Sequence, residues 1–552
     1  MKNNHSKSVS KIITGFLKTH IFITISLVII IIGVVIISLV PPQILKIIID
    51  NYLLVGKTKG LATIGLIYFL TLLIIGLLDF AKECLLTISG QGIVNNIRKV
   101  MMEKKNVLRA EYFSINTTGS IVSRFTNDVE TIGSLFTNGI ISMIIDVFKL
   151  IGIVASICIF SYELALMVLV IIPIIYFITR LFQKRMLGAQ LDNRKLIAKV
   201  NNHIPESVQN IEMIKSFCKE DYFEEKYAQY IVDSYKSKEK INFYDSVFSP
   251  IILVIRAIVI ALMVILSSDS LSLLGISIGM VAAAIDLISN IFGPIENLGK
   301  EFQSIQQAIA GIKRVNEFLN EEEIVAKKEE FEIETIKSKA IEFNHVTFKY
   351  IGSNDVLKDV SFEIDKNQSV TFTGRTGAGK STLFKLLMGL LEPSGGTIKI
   401  GEVNINDIPN SYKRHIFGYV EQSFHFINGT IKEQINLKDD SISFEQIINV
   451  MKFVGLHDYV LNLEHGYDTV AQKNMFSQGQ CQLLSIARAM VCDPPIMLLD
   501  EMTANLDSDT ERYIIKVLKK AGKNRTLLSI SHRLSEVLQS DKIISLENGK
   551  IV

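Results

Sequence analysis

The sequence has almost no net charge, few cysteines and nothing suited to nucleic acid. Its 58 lysines and arginines nearly cancel its 56 aspartates and glutamates, leaving a formal charge of +2. No basic stretch is interleaved with aromatics in the way a nucleic-acid surface requires, so no nucleic-acid partner is expected. The five cysteines, Cys84, Cys158, Cys218, Cys481 and Cys492, show neither Cys-x-x-Cys nor Cys/His spacing. That excludes a zinc site or a disulfide framework and leaves packing thiols. Polarity is also short. With 48% apolar residues and a mean hydropathy of +0.33 over 552 residues, the chain is too oily for a purely soluble protein and too long for one ordinary domain. A membrane part follows.

The apolar residues concentrate in the first three hundred. A bilayer core about 30 Å thick needs about 20 helical residues to cross it, and the uncharged run "IFITISLVIIIIGVVIISLV", Ile21–Val40, supplies them. Lys2, Lys7, Lys11 and Lys18 precede it as they would a signal peptide, but the run outlasts a usual h-region and "PPQ" stands where a small-residue cleavage site belongs. It reads as an uncleaved span. Leu61–Leu78, Ile140–Phe160, Leu164–Thr179, Val247–Ser267 and Leu271–Phe292 make six in all. The long basic segments near 83–136 and 180–243 contrast with short connections carrying only Lys57 and Lys59, so both termini are expected in the cytoplasm. The long segments keep helical periodicity, which extends the membrane helices into the cytosol. Asp146, Lys149, Arg256 and Asp286 fall within spans, where a lipid-facing charge costs roughly 2.5–3.5 kcal/mol. They read either as a polar translocation path or, for Asp146 and Lys149, as a pair one helical turn apart. The domains are drawn as a transmembrane domain over 1–311, a charged linker over 312–337 and a second domain over 338–552.

The second domain alternates strands and helices, the pattern of an α/β sheet. In "QSVTFTGRTGAGKSTLFKLLMGLL", a strand, a glycine-rich loop and an amphipathic helix follow one another, and Gly374, Gly379, Lys380 and Ser381 fit G-x-x-x-x-G-K-[ST]. Glycines let backbone N–H groups close around phosphates, Lys380 neutralises the β/γ oxygens, and the Ser381 hydroxyl ligates Mg²⁺. Arg375, Thr376, Gly377, Ala378 and Thr382 complete the loop's candidate contacts. Downstream, "PIMLLDEMTANLD" is a buried strand ending in Asp500 and Glu501. At the sheet edge where α/β ligands bind, Asp500 is placed to hold Mg²⁺ through water and Glu501 to act as general base. A third apolar strand, "TLLSISHRL", ends in His532, a candidate contact to the γ-phosphate.

With these motifs the chain resembles the ATP-binding cassette transporters, specifically half-size exporters that fuse six spans to one nucleotide-binding domain. The resemblance covers nearly the whole length. In order, it carries the aromatic Tyr350 in "VTFKY", the Walker A loop Gly374–Ser381, the Q-loop Gln422 in "GYVEQSFHF", the signature "FSQGQ", Walker B "IMLLDE", the D-loop ending in Asp507 and the switch His532. It implies ATP and Mg²⁺ as cofactors, Tyr350 stacked on the adenine, Asp507 at the site, and Gln422 in both the catalytic and the metal-binding set. "EYFSINTTGSIVSRFTNDVETI" and "ESVQNIEMIKSFCKE" look like the family's two cytoplasmic loops with coupling helices.

The short run "FSQGQCQ" holds no acid, base or metal ligand and by itself reads as a turn. The resemblance makes it the signature that caps a helix and binds ATP held by the opposite subunit, through Ser477, Gln478, Gly479 and Gln480. Ser477 offers a hydroxyl, Gly479 allows close backbone approach, and the helix that follows presents a dipole favouring an anion. One chain has one Walker A and one signature, which implies a dimer of either identical or similar chains. Gln478 stands where the commonest signature has glycine, and Cys481 where a basic residue is usual. The segment "GYDTVAQKNM" before it is shorter than usual and lacks the family's Glu-x-Gly element. The expected function is ATP-driven export of an amphipathic or hydrophobic drug, lipid or peptide across a bacterial cell membrane. Alternatives are an importer on the exporter fold and a regulatory, non-pumping subunit. The spans exclude a soluble cassette protein of repair or translation, and no peptidase domain is seen before the first span.

Overall fold

A computed structural model of the chain describes residues 8–160, 162–270, 277–323, 340–350, 354–500, 507–530 and 540–552. The chain forms two compact units, one of Met1–Asn106 with Thr117–Glu321 and one of Val107–Asn116 with Glu322–Val552.

The first unit is helical. Among the described residues, five stretches are long and apolar enough to cross a membrane: Ile21–Leu53, Leu61–Val107, Thr118–Ile159, Glu220–Leu262 and Ile278–Asn320. The expected span 164–179 lies within a further helix, Tyr162–Gln209. The expected start of the last span, 271–276, falls outside the described residues; its helix begins at Ile278, where the Ser277 hydroxyl accepts the Met280 N–H as an N-cap. Helices of 47, 48 and 51 residues extend roughly 70 Å at 1.5 Å per residue, more than twice the hydrocarbon thickness. Their outer parts therefore stand in water. Ile153 and Ile157 pack against Ala283, Ala284, Leu287 and Ile288 to form the buried core of this bundle.

The linker expected over 312–337 begins later than drawn. Residues 312–320 are the last turns of the helix Phe292–Asn320, because Val315, Phe318 and Leu319 repeat at helical spacing and are buried. Beside them Arg314 makes a two-pronged ion pair with the buried Asp128, at 2.8 and 2.5 Å. Gly311 lies directly against the Asp128 carbonyl, where a Cβ would press at 2.9 Å.

The second unit holds two sheets. The strands are β1 Ile341–Lys349, β2 Asp355–Ile364, β3 Ser369–Thr373, β4 Gly395–Ile400, β5 Val403–Asn404, β6 Phe417–Val420, β7 Ile496–Asp500, β8 Thr526–Ile530, β9 Lys542–Glu547 and β10 Lys550–Ile551. An antiparallel sheet runs β2-β1-β4-β5, and a second runs β10-β9-β3-β8-β7-β6 with parallel pairing from β9 to β6. Strands β7 and β8 are buried on both faces, which is why their sequences read as continuous apolar runs. This unit also takes Val107–Asn116, carrying the short helix Ala110–Ile115. Arg109 bridges Glu322 at 3.4 Å and Glu392 at 3.1 Å.

Arg314→Ala should lower the unfolding free energy by about 1–3 kcal/mol, since it leaves the Asp128 carboxylate buried without its partner. Adding Asp128→Asn should recover part of the loss, as read from thermal unfolding of the detergent-solubilised protein.

Candidate functional site

Parallel pairing brings the chemistry to one edge of the larger sheet. Strand β3 leads into the glycine-rich loop and then the helix Lys380–Leu387, while β7 ends at Asp500 one strand away from β3 across β8. Gly374 has φ +139°, and a Cβ there would overlap the Leu546 carbonyl of β9, so only glycine lets the loop turn that close to the sheet. Lys380 is buried, its ammonium donating to the Gly374 carbonyl at 2.6 Å and the Arg375 carbonyl at 3.1 Å. The cation thus folds over its own loop at the position where the motif needs it.

The Ser381 hydroxyl donates to Asp500 Oδ1 at 3.4 Å. These two side chains, distant in sequence, form a hard-oxygen pair of the kind Mg²⁺ prefers, so the residues present fit the ion. A third member was not foreseen: Tyr419, at the end of β6, donates its hydroxyl to Asp500 Oδ2 at 3.1 Å. Burial and then the adjacent Asp500 charge push its phenol well above its ordinary value, so it stays a donor at all physiological pH. Tyr350 sits half-buried with its hydroxyl 3.3 Å from Thr382 Oγ1 and its ring edge-on to Phe348. Glu501 and His532 lie outside the described residues.

The signature run caps the helix Gln478–Met490. Ser477 Oγ accepts the Gln480 N–H at 3.2 Å, and Gln480 Oε1 accepts the Ser477 N–H at 2.8 Å, a reciprocal capping box. Gly479 is buried, and a Cβ there would collide with the Thr510 methyl. Its small size serves close packing against the helix Ser508–Ala521. Thr510 is in turn held by Asp507, whose carboxylate accepts the Thr510 N–H at 3.0 Å and is held well below the usual carboxylate range by that bond. Burial pushes the Cys481 thiol up, as a packing thiol requires.

The same helix grips the Q-loop region, again without a sequence signal. Gln482, buried, donates to the Gln422 carbonyl at 2.7 Å. Arg488 lies over the Phe424 ring at 4.0 Å and donates to the His425 and Gln434 carbonyls at 3.1 and 2.7 Å. In the membrane unit, Asp146 is buried with Asn297 beside its carboxyl, and no ion pair within 4 Å joins it to Lys149 among the described residues. Asp286 is half-buried and Arg256 exposed. Glu301 is also buried, though it sits beyond the apolar run that defined the span.

Comparison with known proteins agrees with this geometry. A family model described as the ABC transporter transmembrane region matches residues 21–295, and one described as ABC transporter matches 357–504. The uncharacterised ABC transporter ATP-binding protein YknV of Bacillus subtilis is 30% identical over 84% of this chain and 77% of its own length. A Staphylococcus aureus chain, provisionally named as a multidrug export ATP-binding/permease protein, is 30% identical over 89% of this chain and 85% of its own. A solved bacterial Atm1-family ABC exporter with ATP bound superposes with a TM-score of 0.77 over 97% of this chain and 94% of that one, at 22% identity.

Tyr419→Phe removes one donor from Asp500. It should raise the Mg²⁺ concentration for half-maximal ATPase several-fold while leaving nucleotide binding in chelator unchanged, measured by titrating metal at fixed ATP. Gly479→Ala should lower the unfolding temperature, and Gly479→Ala with Thr510→Ser should restore it by removing the opposing methyl, as thermal unfolding of both variants will show.

Proposed function

The chain belongs to the ATP-binding cassette transporters, an ATPase coupled to transport, and from that premise we propose that it is a half-size exporter. In this reading it works as a dimer in a bacterial cell membrane, with its nucleotide-binding domain and both termini in the cytoplasm. The observation that carries the proposal is one of stoichiometry: a single chain joins membrane-length helices to one phosphate loop and one signature cap. A site that needs both elements from opposite chains is completed only by a second copy or a close relative. Two identical chains suffice, and the homodimer is the simpler form.

Within each site, the loop from Gly374 to Ser381 binds the phosphates, with Lys380 released from its own carbonyls onto them. Tyr350 stacks on the adenine. Ser381 and Asp500, with Gln422, would hold Mg²⁺, which would supply charge neutralisation at the phosphates. Tyr419 orients the Asp500 carboxylate. Glu501 takes the proton of the attacking water, and His532 contacts the γ-phosphate. Ser477 and Gln480 close the partner's site from the capped helix end. The likeness to an exporter fold and to a chain provisionally named for multidrug export supports outward transport.

Glu501→Gln keeps shape and removes the base. Hydrolysis should fall about 10²–10⁴-fold while ATP binding survives, leaving a nucleotide-clamped dimer that crosslinking across the interface detects. Uptake of cargo into inside-out vesicles on adding ATP checks the direction; hydrolysis at the parental rate, or efflux from those vesicles, overturns the reading.

A further inference from the structure

Two long helices of the membrane unit carry the same order of polarity, and with a third they describe a ligand. Two cavities lie along Tyr162–Gln209, Glu220–Ser270 and Phe292–Asn320. The first, of about 590 Å³, is walled largely by Tyr176, Phe182, Phe248, Ile295, Leu298 and Phe302. The second, of about 430 Å³, is polar and includes Arg194, Lys238 and Lys300, with no carboxylate among the described residues of its lining. Lys300 belongs to both walls, so the two adjoin.

The direction of change is shared by the first two helices. Along the first helix the lining runs from Tyr176 through Arg180 and Lys184 to Arg194, residues spaced close to whole turns on one stripe. Along the second helix, which runs the opposite way, Phe248 and Tyr244 give way to Ile241 and Lys238; along the third, Ile295 and Leu298 give way to Lys300, Ser304 and Gln307. On the first two helices the lining residues nearest the predicted span are the aromatic Tyr176 and Phe248, and Arg194 and Lys238 lie furthest out on the cytosolic extension; on the third, Phe302 still stands beyond Lys300. Among the described residues, five cations and one carboxylate stand across both linings; the carboxylate, Glu296, is already bridged to Lys300 at 3.3 Å. Two buried polar groups in these walls have no hydrogen-bond partner among the described residues: Thr179 Oγ1, at 2% exposure, in the first, and Asn193 Oδ1, at 8%, in the second. Buried polar atoms are nearly always paired, so the walls hold hydrogen-bonding capacity the chain itself does not use.

We propose that this double cavity binds an amphipathic anion, its apolar body in the aromatic chamber toward the membrane and its anionic group among Arg194, Lys238 and Lys300. The inference rests on the transporter reading above and names the substrate class of that transporter. Cationic amphiphiles are disfavoured by the surplus of positive charge, and neutral ones leave the cationic chamber unused. An anionic single-chain lipid and a soluble aromatic anion share the required chemistry.

The full-length protein in nanodiscs of neutral phosphatidylcholine should bind oleoyl lysophosphatidate and anilinonaphthalene sulfonate competitively. It should bind the uncharged monooleoylglycerol and the cation tetraphenylphosphonium far more weakly. Whichever anion binds tighter identifies the source, membrane or aqueous. Arg194→Glu with Lys238→Glu should weaken anion binding about tenfold or more, the scale expected when two exposed attractions become repulsions. Arg194→Lys with Lys238→Arg should retain it, which separates lost charge from lost folding. Equal affinity for lysophosphatidate and monooleoylglycerol, or anion binding unaffected by the charge reversal, overturns the proposal. Charge-selective binding without any change in ATPase rate leaves this assignment standing and counts instead against the export reading.

Discussion

The nucleotide end of this protein depends on parallel strand pairing. Because β3, β8, β7 and β6 run in the same direction, their C-terminal ends reach one edge of the sheet. The loop after β3, the carboxylate ending β7 and the phenol near the end of β6 meet there. Ser381, Asp500 and Tyr419 come from three separate segments and touch only through that alignment. An antiparallel arrangement would send alternate strand ends to opposite edges and part the phosphate loop from its carboxylate. The apolar burial of β7 and β8 on both faces is the energetic condition for this geometry, since parallel strands need cover on each side.

A second level of organisation hangs from the helix Gln478–Met490. Its N-terminal cap is the signature, its side chains Gln482 and Arg488 hold the Q-loop backbone, and Gly479 seats it against Thr510 next to Asp507. Three motifs that are separate words in the sequence are thus fastened to one rigid rod. A displacement of that rod moves all three together.

In the membrane unit the chain manages charge by position. Asp128 and Arg314 are paired where the helices have left the spans, whereas Arg180, Lys184, Arg194, Lys238 and Lys300 line space left between helices. The helices are far longer than the bilayer is thick, and this length lets one continuous stripe pass from an aromatic to a cationic lining.

Much of this protein is legible in its amino-acid order. Uncharged apolar runs announce spans because lipid cannot solvate a charge or an unpaired amide, and the phosphate loop is visible because glycines, lysine and serine must occur at fixed local spacing. The capped helix at Ser477 is legible for the same local reason. The helix end at Asn320 is not, since charged residues on its outer face mask the buried Val315 and Phe318. The packing at Gly479 is not legible either, since the Thr510 methyl against it lies on another helix. Tyr419, Gln482 and Arg488 carry no local signal at all; strand order and helix packing alone bring them to their partners. The apolar runs, the change to an α/β pattern and the glycine-rich loop between strand and helix can be read from the chain because they follow from contacts within a few residues. Which side chains steady Asp500, what packs against the glycine of the signature, and where the cations of the long helices converge emerge only on folding, because those contacts join residues far apart in the chain.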